Sequence, residues 1–293
     1  MEGVFTSRLT VSDGRGLSDT DTITISVGGS PPVASTPPSA AVPAPSGGTG
    51  IVGPNKTAQP RPAGLVAAYG FEEGAGRSVW DASGRGNRGT ISGAAWTAAG
   101  KHGKALSFDG VNDWVTAADS ASLDLRRAMT LSAWVKPDVP SRPWQTLIAK
   151  ESAGFLSYAL YASGEVPRSN GWWGDSALYA PRGRVLRAHA WTHVALTSAG
   201  GTMQLYLNGR LVRSKRIRGI LRPSAGALRI AGNAVWRGRF FDGVLDDVRI
   251  YNRALTAAKV RADRRTPVVR PGPPRGRVAG RYAGWRSSDA PPS

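Results

Sequence analysis

Two adjacent carboxylates lie in the segment DGVLDDVRIYNRALT, residues 242–256. The alternating apolar residues Val244, Val248 and Ile250 predict a β-strand there. Asp246 has the same parity, so we expect it to face inward with them. A buried carboxylate is costly unless a cation, a set of hydrogen-bond donors or a catalytic role accompanies it. The segment therefore leaves three roles open for Asp246: cation ligand, hydrogen-bonded anchor or catalyst.

Catalysis is disfavoured by the small number of glutamates. A retaining glycoside hydrolase needs two carboxyl groups about 5–5.5 Å apart. Glutamate is scarce in this sequence, and the adjacent pair Glu72-Glu73 would point to opposite faces of a strand. The other glutamates are Glu2, Glu151 and Glu165. The histidines His102, His189 and His193 form no H-E-x-x-H pattern, and the sequence contains no G-x-S-x-G motif. We therefore predict that the protein is not an enzyme.

Calcium is the predicted cofactor, because Ca²⁺ takes six to eight oxygen ligands, many from turns. Asp and Asn are concentrated in the segments DASGRGNRG, DGVND and DGVLDD. The first and last strands of a two-sheet sandwich commonly adjoin, so the predicted metal ligands are Asp81, Asn87 and Asp246. The alternative is that these residues make Asx turns and that Asp246 pairs with an arginine such as Arg249 or Arg77.

Composition predicts an all-β protein. The 37 Gly and 21 Pro, with many Thr, Val and Ile runs, favour strands joined by tight turns. The pair Asn208-Gly209 predicts a two-residue hairpin that would place Leu205 opposite Val212. Only the segment ALTAAKVRAD predicts a helix, with Thr256 as its N-cap.

The charge and the cysteine content limit the classes of partner and of metal site that we expect. The net charge is +18. Arg greatly outnumbers Lys, and the sequence has neither a zinc-finger spacing nor an RNP-type motif. We therefore expect a solvated basic surface and no nucleic-acid partner. The absence of Cys excludes disulfides and thiolate metal sites. No apolar run reaches the roughly 20 residues of a membrane helix, so no membrane insertion is expected. We also expect a monomer.

Four segments are predicted along the chain. Residues 1–28 contain two alternating runs around a turn-rich segment, which predicts a β-hairpin. Residues 29–63 are dense in Pro, Ser, Ala and Gly and predict a linker. Residues 64–266 contain the remaining strand-like runs. Residues 267–293 are rich in Pro and Arg and predict a disordered basic tail that is dispensable for folding.

The first segment, GVFTSRLTVSDGRGLSDTDTITISV, resembles the C-terminal end of a PKD or cadherin-like immunoglobulin-type domain, with Phe5 where that family commonly has Tyr. The resemblance implies that the hairpin is the remnant of an immunoglobulin-like sandwich. It also implies a repeat-built protein that is secreted or displayed at the cell surface, with an export signal upstream of this chain.

The third segment resembles a laminin G-like, concanavalin A-like jelly-roll domain. The segments that carry the resemblance are GLVAAYGFEEGAG, DASGRGNRGTISG, GKALSFDGVNDWV, MTLSAWVKP, WTHVALTSAGGTMQLYLNG and FDGVLDDVRIYNRALT. The resemblance implies a sandwich of two antiparallel sheets with a concave face and a loop rim. Members of this family are mostly non-catalytic and bind glycans or protein partners, often with calcium.

The predicted function is therefore a non-catalytic module that binds a glycan or an extracellular protein. It would belong to a secreted or cell-surface multidomain protein. Three alternatives stay open: an accessory lectin-like domain of an extracellular hydrolase, a structural spacer or adhesin, and, least favoured, a glycoside hydrolase.

The predicted ligand site is the segment PRSNGWWGDSALYAPRG, residues 167–183. Sugar rings stack their apolar faces on indoles, while their hydroxyls need amide, carboxylate and guanidinium partners. The predicted ligand-binding residues are Trp172, Trp173, Tyr179, Arg168, Asn170 and Asp175. The alternative is that one indole caps the core and the other covers the loop, in which case Trp144 and Trp236 are the next candidates.

Overall fold

The computed structural model describes residues 3–12, 18–27, 61–162, 168–171, 178–179, 186–218 and 221–269, with the backbone alone in 3–12, 18–27, 168–171 and 178–179. The chain forms two units, Met1–Asn55 and Lys56–Ser293. In the first unit, β1 (Gly3–Ser12) pairs antiparallel with β2 (Ser18–Val27), so the predicted hairpin is confirmed. Its origin in an immunoglobulin-like domain stays a prediction.

The second unit contains the other strands, one 3-10 turn at Ala121–Leu123 and one short helix, α1 (Ala257–Asp263). The strands are β3 (Leu65–Tyr69), β4 (Ser78–Val79), β5 (Gly89–Ser92), β6 (Ala95–Thr97), β7 (Ala105–Asp109), β8 (Trp114–Ala117), β9 (Ala128–Pro137), β10 (Gln145–Ser152), β11 (Phe155–Ala162), β12 (Arg168–Gly171), β13 (Leu178–Tyr179), β14 (Thr192–Ala199), β15 (Thr202–Leu207), β16 (Arg210–Arg216), β17 (Leu228–Ile230) and β18 (Asp242–Tyr251).

Two antiparallel sheets make up this unit. The first sheet has the strand order β13-β12-β11-β10-β17-β8-β5-β4. The second sheet has the order β16-β15-β14-β9-β18-β7-β6, with β3 also paired to β18. The predicted all-β, two-sheet antiparallel jelly-roll sandwich is therefore confirmed. The helices among the described residues are too short and too polar to cross a membrane.

The main hydrophobic core contains alternate residues of both sheets. Leu131 and Val135 of β9 belong to the same buried cluster as Tyr158 and Leu160 of β11. Burial of each such side chain contributes about 1.5–3 kcal/mol to the stability of the fold. Because successive residues of a strand point to opposite faces, the residues between them, such as Trp134, lie on the outer faces.

A β-bulge in β18 changes the predicted direction of Asp246. The register with β9 shifts between Asp246 and Arg249, and Asp247 has a φ of 51°. Val248 belongs to the core cluster, whereas Asp246 pairs with Trp134 on the outer face of the second sheet. The expectation that Asp246 faces the core with Val248 is therefore wrong, because the extra residue of a bulge inverts the alternation. Asp246 is nevertheless completely buried.

The hairpin between β15 and β16 turns at Asn208 and Gly209, as predicted. Both residues have positive φ, 49° and 77°, which a type I′ turn requires. Leu205 pairs with Arg213 rather than with Val212, because the register shifts next to it. The predicted pairing was therefore wrong by one residue.

The chain end after α1 packs on the outer face of the second sheet. The Thr256 side chain caps α1, as predicted, by accepting a hydrogen bond from the Lys259 N–H. Val268 is 7% exposed, and its N–H donates to Asp247 Oδ1 at 2.6 Å. The packing of the second unit thus includes Val268, two residues beyond the predicted domain end at residue 266, and the predicted domain bounds stay a prediction. Residues 270–293 of the predicted tail lie outside the described residues.

Candidate functional site

The outer face of the first sheet positions the candidate site. One row of directly paired residues crosses five of its strands: Thr90, Thr116, Arg229, Ala149 and Ala159. Their sequence neighbours Val115, Ile148 and Leu160 are in the core cluster. Alternation therefore places the row on the outer face. The two alanines are completely buried and form a floor beside the one charged residue of the row, Arg229.

Arg229 is fixed by three neighbours. Its Nε lies 3.2 Å from Glu151 Oε2, and its Nη1 donates to Thr116 Oγ1 at 2.5 Å. The centre of the guanidinium lies 4.2 Å from the ring centroid of Trp114, within the range of a cation–π contact. Arginine suits such a position because its planar fork can stack and donate simultaneously. The contacts hold a half-buried cation at a defined place on the face.

Glu151 joins the sheet to the segment 231–241, which we call the covering loop. Its Oε1 accepts a hydrogen bond from the Ala234 N–H at 2.6 Å. Asn233 Nδ2 donates to Thr146 Oγ1 at 2.8 Å, and the Thr146 N–H donates to the Arg239 carbonyl at 3.0 Å. The covering loop is thus attached to both ends of β10 and lies over the alanine floor.

Aromatic side chains gather where the covering loop meets the sheet. The Arg239 guanidinium lies 4.9 Å from the ring centroid of Trp144 and 4.4 Å from that of Trp236. Trp144 packs edge-on against Tyr161, with ring centroids 5.6 Å apart. Burial raises the pKa of Tyr161 to about 12, against the opposing effect of Arg239. Among the described residues, the Tyr161 hydroxyl is buried and has no hydrogen-bond partner.

An open groove of about 700 Å³ adjoins this face. Its lining comes from the β10–β11 turn, the loop before β17 and the covering loop: Glu151, Ser152, Ala153, Gly154, Ala225, Gly226, Ala234 and Val235. Phe155, which follows the lining residues of the turn, is 49% exposed. The groove has the volume of a small-ligand site.

Three of the six predicted ligand residues lie in strands of this sheet. In the backbone register, Asn170 of β12 is opposite Ala159, and Arg168 is opposite Tyr161. Tyr179 of β13 is opposite Arg168. Asn170 thus continues the row that contains Arg229, whereas Arg168 and Tyr179 continue the neighbouring row through Tyr161. Trp172, Trp173 and Asp175 lie outside the described residues, so the six-residue site stays a prediction.

Sequence reasoning missed Arg229 and Glu151. Each residue occurs in a strand, but their ion pair joins positions 78 residues apart. Only the pairing of β10 with β17 reveals it. A signal existed for Trp144 and Trp236, since both lie in Pro-, Gly- or Arg-rich segments that predict loops.

The predicted calcium ligands do not form one ligand set as arranged. Asp81 Oδ1 accepts the N–H groups of Ala68 and Ser83 at 3.0 and 2.9 Å. Asp81 Oδ2 accepts the Ser83 hydroxyl at 2.7 Å and the Asn87 N–H at 3.0 Å. Asp246 shares none of these partners. Among the described residues, no three His, Cys, Asp or Glu side chains are placed to hold a metal ion. Calcium binding stays a prediction.

Asp246 and Asp247 belong to a polar cluster on the outer face of the second sheet. Asp246 Oδ2 accepts the His102 N–H at 2.8 Å. Asp247 contacts His102 Nδ1 at 2.6 Å and Arg249 at 3.8 Å. Burial, reinforced by Asp247, raises the pKa of Asp246 to about 6. Of the three roles that the sequence leaves open, these contacts support the hydrogen-bonded anchor.

Comparison with known proteins places the chain in a family. Residues 109–261, just over half of the 293 residues, match the model of the concanavalin A-like lectin/glucanases superfamily. The chain belongs to this superfamily. No curated protein matches the sequence.

Solved structures show the same sandwich. Domain 4 of AbnA, an extracellular arabinanase from Geobacillus stearothermophilus, in complex with arabinotriose, has a TM-score of 0.55 and 22% identity, over 68% of this chain and 97% of that one. The binding domain of Paraclostridial Mosquitocidal Protein 1 has a TM-score of 0.55 and 19% identity, over 68% of this chain and only 51% of that one. A Trypanosoma rangeli sialidase has a TM-score of 0.53 and 20% identity, over 68% of this chain and 32% of that one. At these identities the similarity shows the fold alone.

Proposed function

We propose that the second unit is a non-catalytic carbohydrate-binding module of a secreted or cell-surface multidomain protein, and that it binds its glycan on the outer face of the first sheet. The single observation that carries the proposal is the placement of Arg229. It is held by Glu151, Thr116 and Trp114 beside an open groove.

The chemistry of this face suits a sugar. Apolar C–H faces of a sugar ring pack on aromatic side chains, and Trp114, Trp144 and Trp236 are half-buried rather than enclosed. Ring hydroxyls need donors and acceptors that already have fixed directions, which the Arg229–Glu151 pair supplies. A preorganised pair loses little side-chain entropy when a ligand binds.

The similar structures give independent support. Domain 4 of AbnA contains arabinotriose in its solved structure, and the likeness extends over nearly the whole of that domain. Its membership in an arabinanase also supports a second candidate function, an accessory module of an extracellular hydrolase. The binding domain of the mosquitocidal protein supports a binding role in general. Calcium is not needed for the proposal.

The first prediction concerns Trp114 and Arg229. A glycan array with the full chain identifies a ligand, and titration then measures its affinity for the variants Trp114→Ala and Arg229→Ala. We expect each variant to bind about tenfold more weakly, which corresponds to about 1.4 kcal/mol, because each removes a stacking or hydrogen-bonding contact.

The matched control is Trp191→Ala, since Trp191 is a half-buried indole that lies beside Lys136, next to β14 of the second sheet. We expect its affinity to stay within twofold of the parent. If both site variants bind as tightly as the parent, with unchanged circular dichroism spectra, the ligand binds elsewhere and residues 167–183 become the primary candidate. A full chain that binds no glycan would overturn the proposal itself.

A further inference from the structure

A completely enclosed ammonium group lies next to the groove. The Lys150 side chain is 1% exposed. Its Nζ donates to Asp119 Oδ1 at 2.6 Å, to the Ser224 carbonyl at 2.6 Å and to the Gly226 carbonyl at 2.5 Å. The Ser224 hydroxyl lies 3.2 Å away. A buried charge persists only when it is paired and hydrogen-bonded, and these four oxygens meet both requirements.

The four oxygens are of the types that bind a hard cation. Ca²⁺ takes carboxylate, carbonyl and hydroxyl oxygens from turns. Here the same kinds of oxygen, one carboxylate, two backbone carbonyls and one hydroxyl, surround a lysine ammonium. We call this group the oxygen cage.

The oxygen cage holds one wall of the groove. Gly226 lines the groove and supplies a cage carbonyl. Ser224 is further fixed by its N–H, which donates to Asp124 Oδ1 at 3.1 Å, and by its hydroxyl, which donates to the Glu151 carbonyl at 2.5 Å. A side chain at position 226 would collide with that Glu151 carbonyl. The loops around residues 119–124 and 222–226 therefore converge on Lys150.

We propose that the Lys150 ammonium takes the place of a hard cation in the oxygen cage, and that Lys150 is a positioning residue for the groove wall. This site is consequently assembled without calcium. The positioning role rests on the proposed function, because it assumes that the groove binds the glycan. The replacement of a metal ion by the lysine ammonium does not rest on it.

The first experiment is thermal unfolding of the full-length Lys150→Ala variant in millimolar calcium and in chelator. Truncation leaves the Asp119 carboxylate and the two carbonyls around a space that a hydrated ion can enter. We expect Lys150→Ala to melt several degrees below the parent, and calcium to raise its Tm by about 3 °C or more beyond any effect on the parent.

Two variants are the controls. Lys150→Met keeps most of the stem volume but removes the charge, so it should be destabilised without calcium rescue. Lys150→Ala combined with Asp119→Asn should lose the rescue, because the cage then lacks its carboxylate. Equal calcium-induced shifts in the parent and in Lys150→Ala would overturn the proposal that Lys150 replaces a metal ion.

A second measurement covers the case in which Lys150→Ala does not fold. Asp119 is 37% exposed, so Asp119→Asn should be tolerated. We expect it to lower the Tm and to weaken glycan binding severalfold. An unchanged Tm and affinity for Asp119→Asn would overturn the positioning role. The effect of calcium on Lys150→Ala is measured by thermal unfolding and needs no glycan. It therefore tests the role of Lys150 in the oxygen cage even if the protein binds no glycan.

Discussion

His193 is completely buried on the outer face of the second sheet, against the edge of Trp134. Burial lowers its pKa to about 3, and the positive charges of Arg249, Arg264 and His102 act in the same direction. The folded state therefore keeps the imidazole neutral, whereas the unfolded chain protonates it near its ordinary pKa of about 6.5. Stability due to the neutral ring is complete above pH 6.5 and is lost as the pH falls towards 3.

Asp246 acts in the opposite direction, since its pKa is raised to about 6 by burial and by Asp247. The folded state takes up this proton before the unfolded state does. Stability therefore increases as the pH falls through 6, until the unfolded carboxyl also becomes protonated near pH 4. The effects of His193 and Asp246 on stability partly cancel. We therefore expect the unfolding free energy of the parent to change less with pH than either group alone would make it change.

The prediction at the residue scale is that His193→Phe removes the acid-sensitive part of this profile. Between pH 7 and pH 5 the histidine alone should cost the parent about 2 kcal/mol of unfolding free energy. Urea unfolding over this range should show a more favourable change for the variant than for the parent. Parallel profiles for both proteins would mean that His193 is solvated or charged in the fold.

At the scale of elements, the segment after α1 stabilises the second sheet through few contacts. Val268 packs in a small cluster with Tyr251 and Leu255, and its N–H is bonded to Asp247. The Arg249 guanidinium donates to the Thr266 carbonyl, and the Trp134 indole donates to the Arg264 carbonyl at 3.2 Å. The segment thus covers the Asp247 carboxylate and supplies one of its hydrogen-bond donors, the Val268 N–H.

Truncation tests this segment. A chain that ends at Val269 should melt as the full chain does, whereas one that ends at Thr266 should lose about 2 kcal/mol of unfolding free energy. The loss combines an apolar side chain returned to water with a buried carboxylate that lacks one donor. Thermal unfolding of the two truncated chains compares them directly. Equal melting temperatures would show that Val268 contributes no net stability.

At the scale of the whole molecule, every strand of both sheets lies between Leu65 and Tyr251, and the segment that closes the outer face ends near Val268. The units Met1–Asn55 and Lys56–Ser293 are separate compact bodies. Among the residues whose burial the structure describes, the members of the main core belong to the second unit. The second unit therefore has what a domain needs to fold independently.

The prediction at this scale is that residues 61–269 fold alone and bind the same glycan as the full chain, with affinity within twofold. The reason is that the face with Arg229, the groove and the oxygen cage is complete within this range. Circular dichroism melting and titration with the glycan from the array provide the measurements. A tenfold loss of affinity despite a cooperative melt would mean that the site includes residues outside 61–269.

The sequence by itself determined the features that depend on local pattern. Strand alternation, the Asn208-Gly209 turn and the Thr256 N-cap are each specified by residues within a few positions, and the structure contains all three. The order of the family segments was also sufficient to predict the two-sheet sandwich.

Tertiary structure decided the features that join distant positions. At the bulge that reverses the predicted inward face, Asp246 and Asp247 accept hydrogen bonds from the N–H groups of His102 and Val268, 144 and 21 residues away. The Arg229–Glu151 pair likewise exists only because β10 and β17 are neighbours. A sequence pattern specifies which residues alternate, but buried polar groups must find partners wherever the fold brings them, and those partners decide where the alternation breaks.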